Sequence, residues 1–313
     1  MSRTRVAAID CGTNSIRLLI ADLDPATGEI SDLDRRMLIV RLGQDVDRTG
    51  RLAPEALERT FAACREYAAV IAEHGVDPAH TRFVATSASR DAENSADFTK
   101  GVREILGVEP EVVSGDEEAQ LSFTGATKEL TGSSVAAPYL VFDLGGGSTE
   151  FVLGTEQVVA ARSVDIGCVR LTERHFAGLE VPPAERVAAA RADVAAALDL
   201  AAEAVPLTAA ASLVGLAGTV TTVAAIALGL PAYDSAVIHH ARLTADQVRE
   251  VTERLLGSTH AERAAIPVMH PGRVDVIAAG ALVLLSIMER TGARELVVSE
   301  HDILDGIAWS IAG

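Results

Sequence analysis

The sequence predicts two related α/β domains with a cleft between them. Three observations lead there. First, a stretch occurs twice: residues Val6 to Ala21 read VAAIDCGTNSIRLLIA, and Tyr139 to Gly154 read YLVFDLGGGSTEFVLG. Laid over each other they put Asp10 on Asp143, Gly12 on Gly145, Ser15 on Ser148 and Arg17 on Glu150. Second, each copy is an apolar strand ending in Asp, a tight Gly/Ser/Thr turn, and a second apolar strand. Third, the elements after each copy follow a similar order, which is a signal of internal duplication. The domains are expected at 1–130 and 131–313, with the last helix free to pack back on the first.

In chain order, strands are expected at about Val6 to Asp10 and Ser15 to Leu23. A hairpin turn at Asp24-Pro25-Ala26-Thr27-Gly28 leads to a third strand at Arg36 to Leu42. Pro54 stands where a helix starts, and Leu57, Phe61, Cys64, Ala68 and Ile71 keep helical spacing until Gly75. A strand at Arg82 to Thr86, a helix at Asn94 to Leu106 and a strand at Glu111 to Val113 follow. Ser114-Gly115-Asp116-Glu117 fits a capping box that opens the next helix. After a crossover at Thr131-Gly132-Ser133-Ser134, the second half opens with strands at Tyr139 to Asp143, Thr149 to Leu153 and Val158 to Val164. An Ala-rich helix runs from Pro183 to Ala204. A strand at Ser212 to Leu216, a Gly-Thr turn and a buried helix come next. Thr244-Ala245-Asp246-Gln247 caps another helix. A long apolar helix at Val274 to Thr291, a strand at Glu295 to Ser299 and a helix at Asp302 to Ile311 close the chain.

Composition excludes several classes. The chain has 313 residues, 49% of them hydrophobic, enough for two domains with cores of their own. Cys11, Cys64 and Cys168 are scattered and odd in number, which opposes a disulfide framework and suits a reducing cytosol. No signal peptide is read ahead of the first strand, and a cytoplasmic location is expected. From Pro206 to Tyr233 there is no charged residue, but glycines and threonines interrupt the run and acids flank it, so no membrane span is expected. The net charge of −17, with only two lysines, opposes a nucleic-acid partner. It also means that any polyanionic substrate must be attracted by a local cluster or a metal.

The duplicated turns point to phosphate chemistry. Glycine lets the backbone approach a ligand, and the turn exposes N–H groups and hydroxyls. Two such turns facing each other would grip a phosphate chain from both sides. The phosphate ligands expected are Thr13, Asn14 and Ser15 in the first turn and Gly145, Gly146, Gly147 and Ser148 in the second. No Gly-Lys-Ser/Thr occurs, so neither is a Walker A loop. Asp10, Asp143 and Glu150 are candidate ligands for Mg²⁺, with Mn²⁺ an alternative, since hard cations favour oxygen donors. The bland alternative is that these acids bond turn amides. Arg90 is the best arginine for holding phosphate oxygens in a bidentate manner. Arg17 fits either a phosphate contact or an inward-facing salt bridge. Gly218 and Thr219 fit either a second phosphate contact or a helix-starting turn. Among the acids at 116–118, Glu117 sits at the capping position and Asp116 suits the helix dipole. Glu118 has no such duty and is the candidate base, although the residues alone leave open that all three only cap the helix. His239-His240 is not expected to hold a metal.

The motifs AAIDCGTNSIRLLI, ATSASRDAENSADF, VVSGDEEAQLSFTGA, VFDLGGGSTEFVLG, GLAGTVTTVAAI and RVDVIAAGALVLL, in this order, cover the chain end to end. In them the sequence resembles the exopolyphosphatase/guanosine pentaphosphate phosphohydrolase family, within the actin, sugar-kinase and Hsp70 superfamily. The resemblance implies two duplicated actin-like, ribonuclease H-like domains. It implies release of terminal phosphate from inorganic polyphosphate, or, as the alternative, from guanosine pentaphosphate. It also implies Glu118 as catalytic base, Asp143 as a catalytic metal ligand and a homodimer. Long family members add a C-terminal helical domain that this chain does not show, and with the acidic surface this favours short polyphosphate. Asp305 stands where many members carry Arg before Gly306. A superfamily kinase and a non-catalytic polyphosphate or alarmone sensor are the other readings.

Overall fold

The structure is a computed structural model that describes residues 3–24, 29–128, 130 and 134–312. The first elements are β1 (Thr4–Cys11), β2 (Ser15–Leu23), β3 (Ile30–Ile39), α1 (Val46–Thr49), α2 (Pro54–Glu73) and β4 (Thr81–Ala85). Then come α3 (Ser87–Asp91), α4 (Ser95–Leu106), β5 (Glu111–Val112) and α5 (Gly115–Thr127). The second copy of the hairpin gives β6 (Tyr139–Leu144), β7 (Thr149–Gly154) and β8 (Val158–Val164). It is followed by α6 (Cys168–Leu171), a π-helical turn at Thr172–Phe176, α7 (Ala184–Ala202), β9 (Ser212–Leu216) and α8 (Ala217–Ala227). The remainder is α9 (Ser235–Ile238), β10 (Arg242–Thr244), α10 (Ala245–Gly257), α11 (His260–Ala264), α12 (Ile277–Thr291), β11 (Glu295–Val298) and α13 (Ile303–Ala312).

The chain divides into two compact units, Met1–Gly125 with Ile303–Gly313, and Ala126–Asp302. The first unit holds a five-stranded sheet in the order β3-β2-β1-β4-β5. Period-two alternation sorts its strands between two cores. Ala7, Ile9, Ile16 and Leu18 face a cluster with Tyr67, Phe83 and Phe98. Val6, Ala8, Leu19 and Ala21 face Leu121 of α5 and Ile303, Leu304 and Ile307 of α13. Asp305 fastens α13 through an ion pair with Arg35 of β3.

The second unit repeats the plan in the order β10-β11-β9-β6-β7-β8. In both units the hairpin pairs and the third strand are antiparallel, and the next two strands join in parallel. Parallel strands buried on both faces read as continuous apolar runs, as YLVFDL and SLVGL do. The core packs Phe142 and Phe151 of the sheet against α7, α8, α10 and α12. Each of these rings is fully buried and contributes about 1.5–3 kcal/mol.

Several expectations shift. β3 spans Ile30–Ile39 rather than Arg36 to Leu42. It is an edge strand whose charged, exposed residues hide its alternation, and the chain leaves it after Ile39, where Val40, Arg41 and Gly43 bond the first turn. The long apolar helix begins at Ile277, because Pro271–Arg273 forms a 3₁₀ turn ahead of it. The capping box at Thr244 and Gln247 forms in full. The one at Ser114 forms its forward half: Ser114 Oγ accepts from Glu117 N, while the Glu117 carboxylate is bonded by Arg82. Residues 25–28 of the expected hairpin turn and 131–133 of the expected crossover lie outside the described residues. Among the described residues, no helix is long and apolar enough to cross a membrane.

Candidate active site

The two hairpins agree down to single hydrogen bonds. Asp10 pairs across the strands with Arg17, and Asp143 with Glu150. Gly12 N donates to Ser15 O at 3.0 Å, and Gly145 N to Ser148 O at 3.1 Å. In each unit a following segment takes the outer carbonyls of the turn. In the first unit Gly43 N bonds Thr13 O, and Val40 N and Arg41 N bond Asn14 O, at 2.9–3.1 Å. In the second unit Cys168 N bonds Gly145 O, and Val169 N and Arg170 N bond Gly146 O, at 2.9–3.1 Å. Both approaches need a glycine. A Cβ on Gly43 would meet Thr13 Cγ2 at 2.3 Å, and one on Gly167 would meet Gly146 O at 2.4 Å.

A trans peptide points its N–H opposite to its C=O. Carbonyls held from one side therefore turn the next amides to the other. In the second turn these are the amides of Gly146 and Gly147, and within the described residues neither they nor Ser148 N donates a bond. Successive amides aimed one way form a concavity for an anion. In the first turn Thr13 Oγ1 and Ser87 Oγ share a hydrogen bond of 2.9 Å, and Asn14 Oδ1 is buried without a hydrogen-bond partner.

The acids of the two hairpins have different surroundings. Asp10 is buried and held by Arg17, Nε at 3.0 Å and Nη2 at 2.7 Å. Arg17 thus forms the inward-facing salt bridge. Asp143 and Glu150 are buried at 8% and 1% exposure, and Ser163 Oγ donates to Glu150 at 2.7 Å. Two carboxylates directly opposite repel unless a cation or a proton intervenes.

Glu118 stands out from the other two acids. Asp116 and Glu117 are exposed, whereas Glu118 is buried, and Arg90 Nη1 reaches its Oε2 at 3.2 Å. Arg90 also bonds Val113 O at 3.0 Å, which ties the guanidinium to the strand-helix junction. Arg90 lies in α3 rather than at a strand end.

Residues 19–312 match the Ppx/GppA phosphatase family. The chain belongs to that family. It is 51% identical, over the full length of both chains, to Exopolyphosphatase 2 of Mycobacterium tuberculosis. Among solved structures, an exopolyphosphatase-like protein is 44% identical over 99% of this chain and 98% of its own, with a TM-score of 0.94. The Aquifex aeolicus PPX-GPPA enzyme is 32% identical over 98% of this chain and 99% of its own, with a TM-score of 0.80. The expected actin-like α/β fold is borne out.

In this Ppx/GppA chain the structure adds residues that the sequence reading passed over. Arg273 lies against Gly218, where a Cβ would be 2.1 Å from Nη2, and Nη1 bonds Thr222 Oγ1 at 2.9 Å. Thr222 Oγ1 in turn bonds Gly218 O, so Gly218 and Thr219 start α8 under a guanidinium. Burial and the nearby Arg273 lower the His270 pKa. Arg170, Gly167 and Gly43 were also missed, and only their nearness to a Gly-rich turn could have marked them. His239 and His240 stack with centroids 3.8 Å apart, because His240 adopts φ +60 and turns its ring back. No group of three or more His, Cys, Asp or Glu among the described residues is arranged to hold a metal. That pattern is compatible with Mg²⁺, which takes one or two carboxylates and completes its shell with water and substrate phosphates.

Proposed function

We propose that the chain is an exopolyphosphatase that removes terminal orthophosphate from inorganic polyphosphate. The 51% identity over full length to a protein named Exopolyphosphatase 2 carries the reading. Guanosine pentaphosphate, the alternative substrate, is not favoured. The chemistry is a phosphoanhydride hydrolysis. Glu118 takes a proton from water, the water oxygen bonds the terminal phosphorus, and the bridging P–O bond breaks to leave a chain one unit shorter. Arg90 orients the Glu118 carboxylate. The amides of Gly146, Gly147 and Ser148 meet phosphate charge in place of a Walker A loop. Asp143 and Glu150 are the residues that would hold Mg²⁺, which when bound offsets charge on the phosphate oxygens. Asp10 is engaged by Arg17 and is assigned a supporting role. The acidic surface favours short chains, and the three buried free cysteines suit a cytoplasmic setting. A homodimer remains part of the proposal.

The test is phosphate release with Mg²⁺ from short polyphosphate, long polyphosphate and guanosine pentaphosphate, with Glu118→Ala as control. Release from polyphosphate that is lost in the variant is expected. Release from guanosine pentaphosphate alone, or release that survives in Glu118→Ala, would overturn the proposal.

A further inference from the structure

Three carbonyls follow one another in the second turn, and the chain holds each of them. Gly145 O takes Cys168 N at 3.0 Å, and Gly146 O takes Val169 N at 2.9 Å and Arg170 N at 3.1 Å. The third, Gly147 O, is bonded by a side chain: Arg170 Nε donates to it at 2.7 Å. One residue thus closes the row, with its main chain on Gly146 and its guanidinium on Gly147.

We infer that Arg170 is a positioning residue for phosphate binding, fixing the Gly147–Ser148 peptide so that the Ser148 amide points into the anion site. The inference rests on the phosphate-binding reading of this turn. The peptide plane couples the two groups: with Gly147 O drawn to Arg170, Ser148 N–H must point the opposite way. Gly147 has no Cβ to resist rotation of that plane. Turned over, the same peptide would present a carbonyl to the ligand, and attraction for an anion would become repulsion. The guanidinium is well placed to prevent this. Its side chain is only 12% exposed, and its charge strengthens the bond to the carbonyl. Asp165, 3.9 Å from Nη2 and 74% exposed, is too distant and too solvated to draw it away.

Gly167 belongs to the same device. Its backbone is extended, φ −161 and ψ 172, so any residue could adopt it. The requirement is space: a Cβ would lie 2.4 Å from Gly146 O and 2.7 Å from Gly145 O. Glycine here brings the 168–170 amides, and Arg170 with them, close enough to hold the turn.

The experiment uses the whole protein with ¹⁵N-labelled glycine and serine and inorganic tripolyphosphate as the probe. In the wild type, the amide signals of Gly146, Gly147 and Ser148 should shift on titration. In Arg170→Ala the Ser148 signal should lose its response while the Gly146 signal, held by main-chain bonds, keeps it. The KM for tripolyphosphate should rise about tenfold, as for loss of a charge-assisted hydrogen bond, with kcat changed less than about threefold. Gly167→Ala should weaken all three responses, and it is the variant to read if Arg170→Ala does not fold. A Ser148 response equal to wild type in Arg170→Ala, an unchanged KM, or three unchanged responses in Gly167→Ala would overturn the inference. So would wild-type amides at 146–148 that ignore tripolyphosphate. Wild-type amides that respond, in a protein that releases no phosphate from any polyphosphate, would instead refute the proposed activity and leave the role of Arg170 standing.

Discussion

Gly306→Ala tests whether the C-terminal helix positions Glu118, the proposed base. Gly306 lies in α13, and a Cβ there would sit 2.0 Å from Leu121 O and 2.7 Å from Leu121 C of α5. Ordinary contact begins at 3.4 Å, so the two helices must part by about 1.4 Å, 3.4 less 2.0. The obstacle is backbone and cannot swing aside. Leu121 is one turn beyond Glu118 on the same helix, so the displacement reaches the proposed base. A misplacement of about 1 Å can cost roughly 100-fold in rate, and a fall in kcat of between about 10- and 100-fold is expected. Stability changes less. Overpacking costs about 1–3 kcal/mol, and replacing Gly by Ala in a helix returns up to about 1 kcal/mol. The net loss of about 1 kcal/mol should lower Tm by roughly 2–4 °C. Phosphate release from short polyphosphate gives kcat, and a thermal melt gives Tm. A variant with wild-type kcat would refute the coupling of α13 to Glu118, whatever its Tm.

Three further outcomes are expected. Glu150→Gln removes one of two facing buried carboxylates, so the Mg²⁺ concentration for half-maximal phosphate release should rise about tenfold, and a chelator should abolish release. An unchanged Mg²⁺ requirement would remove Glu150 from the metal site. Hydrogen bonds from Arg5 and Arg36 hold the Asp22 and Asp34 carboxyls below their ordinary 3.8, and main-chain bonding at Thr259 holds Glu262 below 4.5. Because the folded values are depressed, this stability is complete above the ordinary values and is lost as pH falls through the folded ones. The urea midpoint should thus drop below about pH 4, with a shallower acid slope in Asp22→Asn than in the wild type; an identical slope would contradict the assignment. Burial pushes the Cys64 thiol up to about 12 and raises those of Cys11 and Cys168. Iodoacetamide at pH 8 should label none of them in the folded protein and all three in denaturant, and rapid labelling of the native protein would count against their burial.

The fold was legible where the pattern is local. Repeated apolar strands ending in Asp and a turn located both hairpins, and Pro54 and Thr244 marked helix starts at the right residues. Legibility failed where tertiary contacts decide. β3 carries charge because it is an edge, so its first six residues gave no alternation. The four-residue α6 and its π-helical turn are too short for a periodic signal, although residues 168–170 of α6 hold the second Gly-rich turn. Within the candidate site, the two ambiguous readings of Arg17 could be separated only by seeing Asp10 at 2.7 Å. Glu118 was distinguished by position among three acids, and its burial beside Arg90 depends on where α3 and α5 meet. Arg273 was invisible as a partner of Gly218, because 55 positions separate them in sequence and only the fold brings them together.

The duplication also shows how the two hairpins differ in charge. At the same place on the second strand, the first copy carries Arg17 and the second Glu150. Arg17 neutralises Asp10, and the first hairpin closes its own charge. Glu150 faces Asp143 instead, so the second hairpin carries two buried acids at the place where the first carries an acid and an arginine. This one exchange of sign is why the proposed Mg²⁺ ligands are placed in the second hairpin alone. Beside it, Arg170 and the 168–170 amides hold the carbonyls of the neighbouring turn, whose amides are the proposed anion donors. The proposed metal ligands and the proposed anion donors thus lie within one short hairpin. On this proposal a chain with a net charge of −17 attracts polyphosphate there because the forces act over a few ångströms, well inside the Debye length of about 8 Å, where the global charge weighs less than the nearest dipoles.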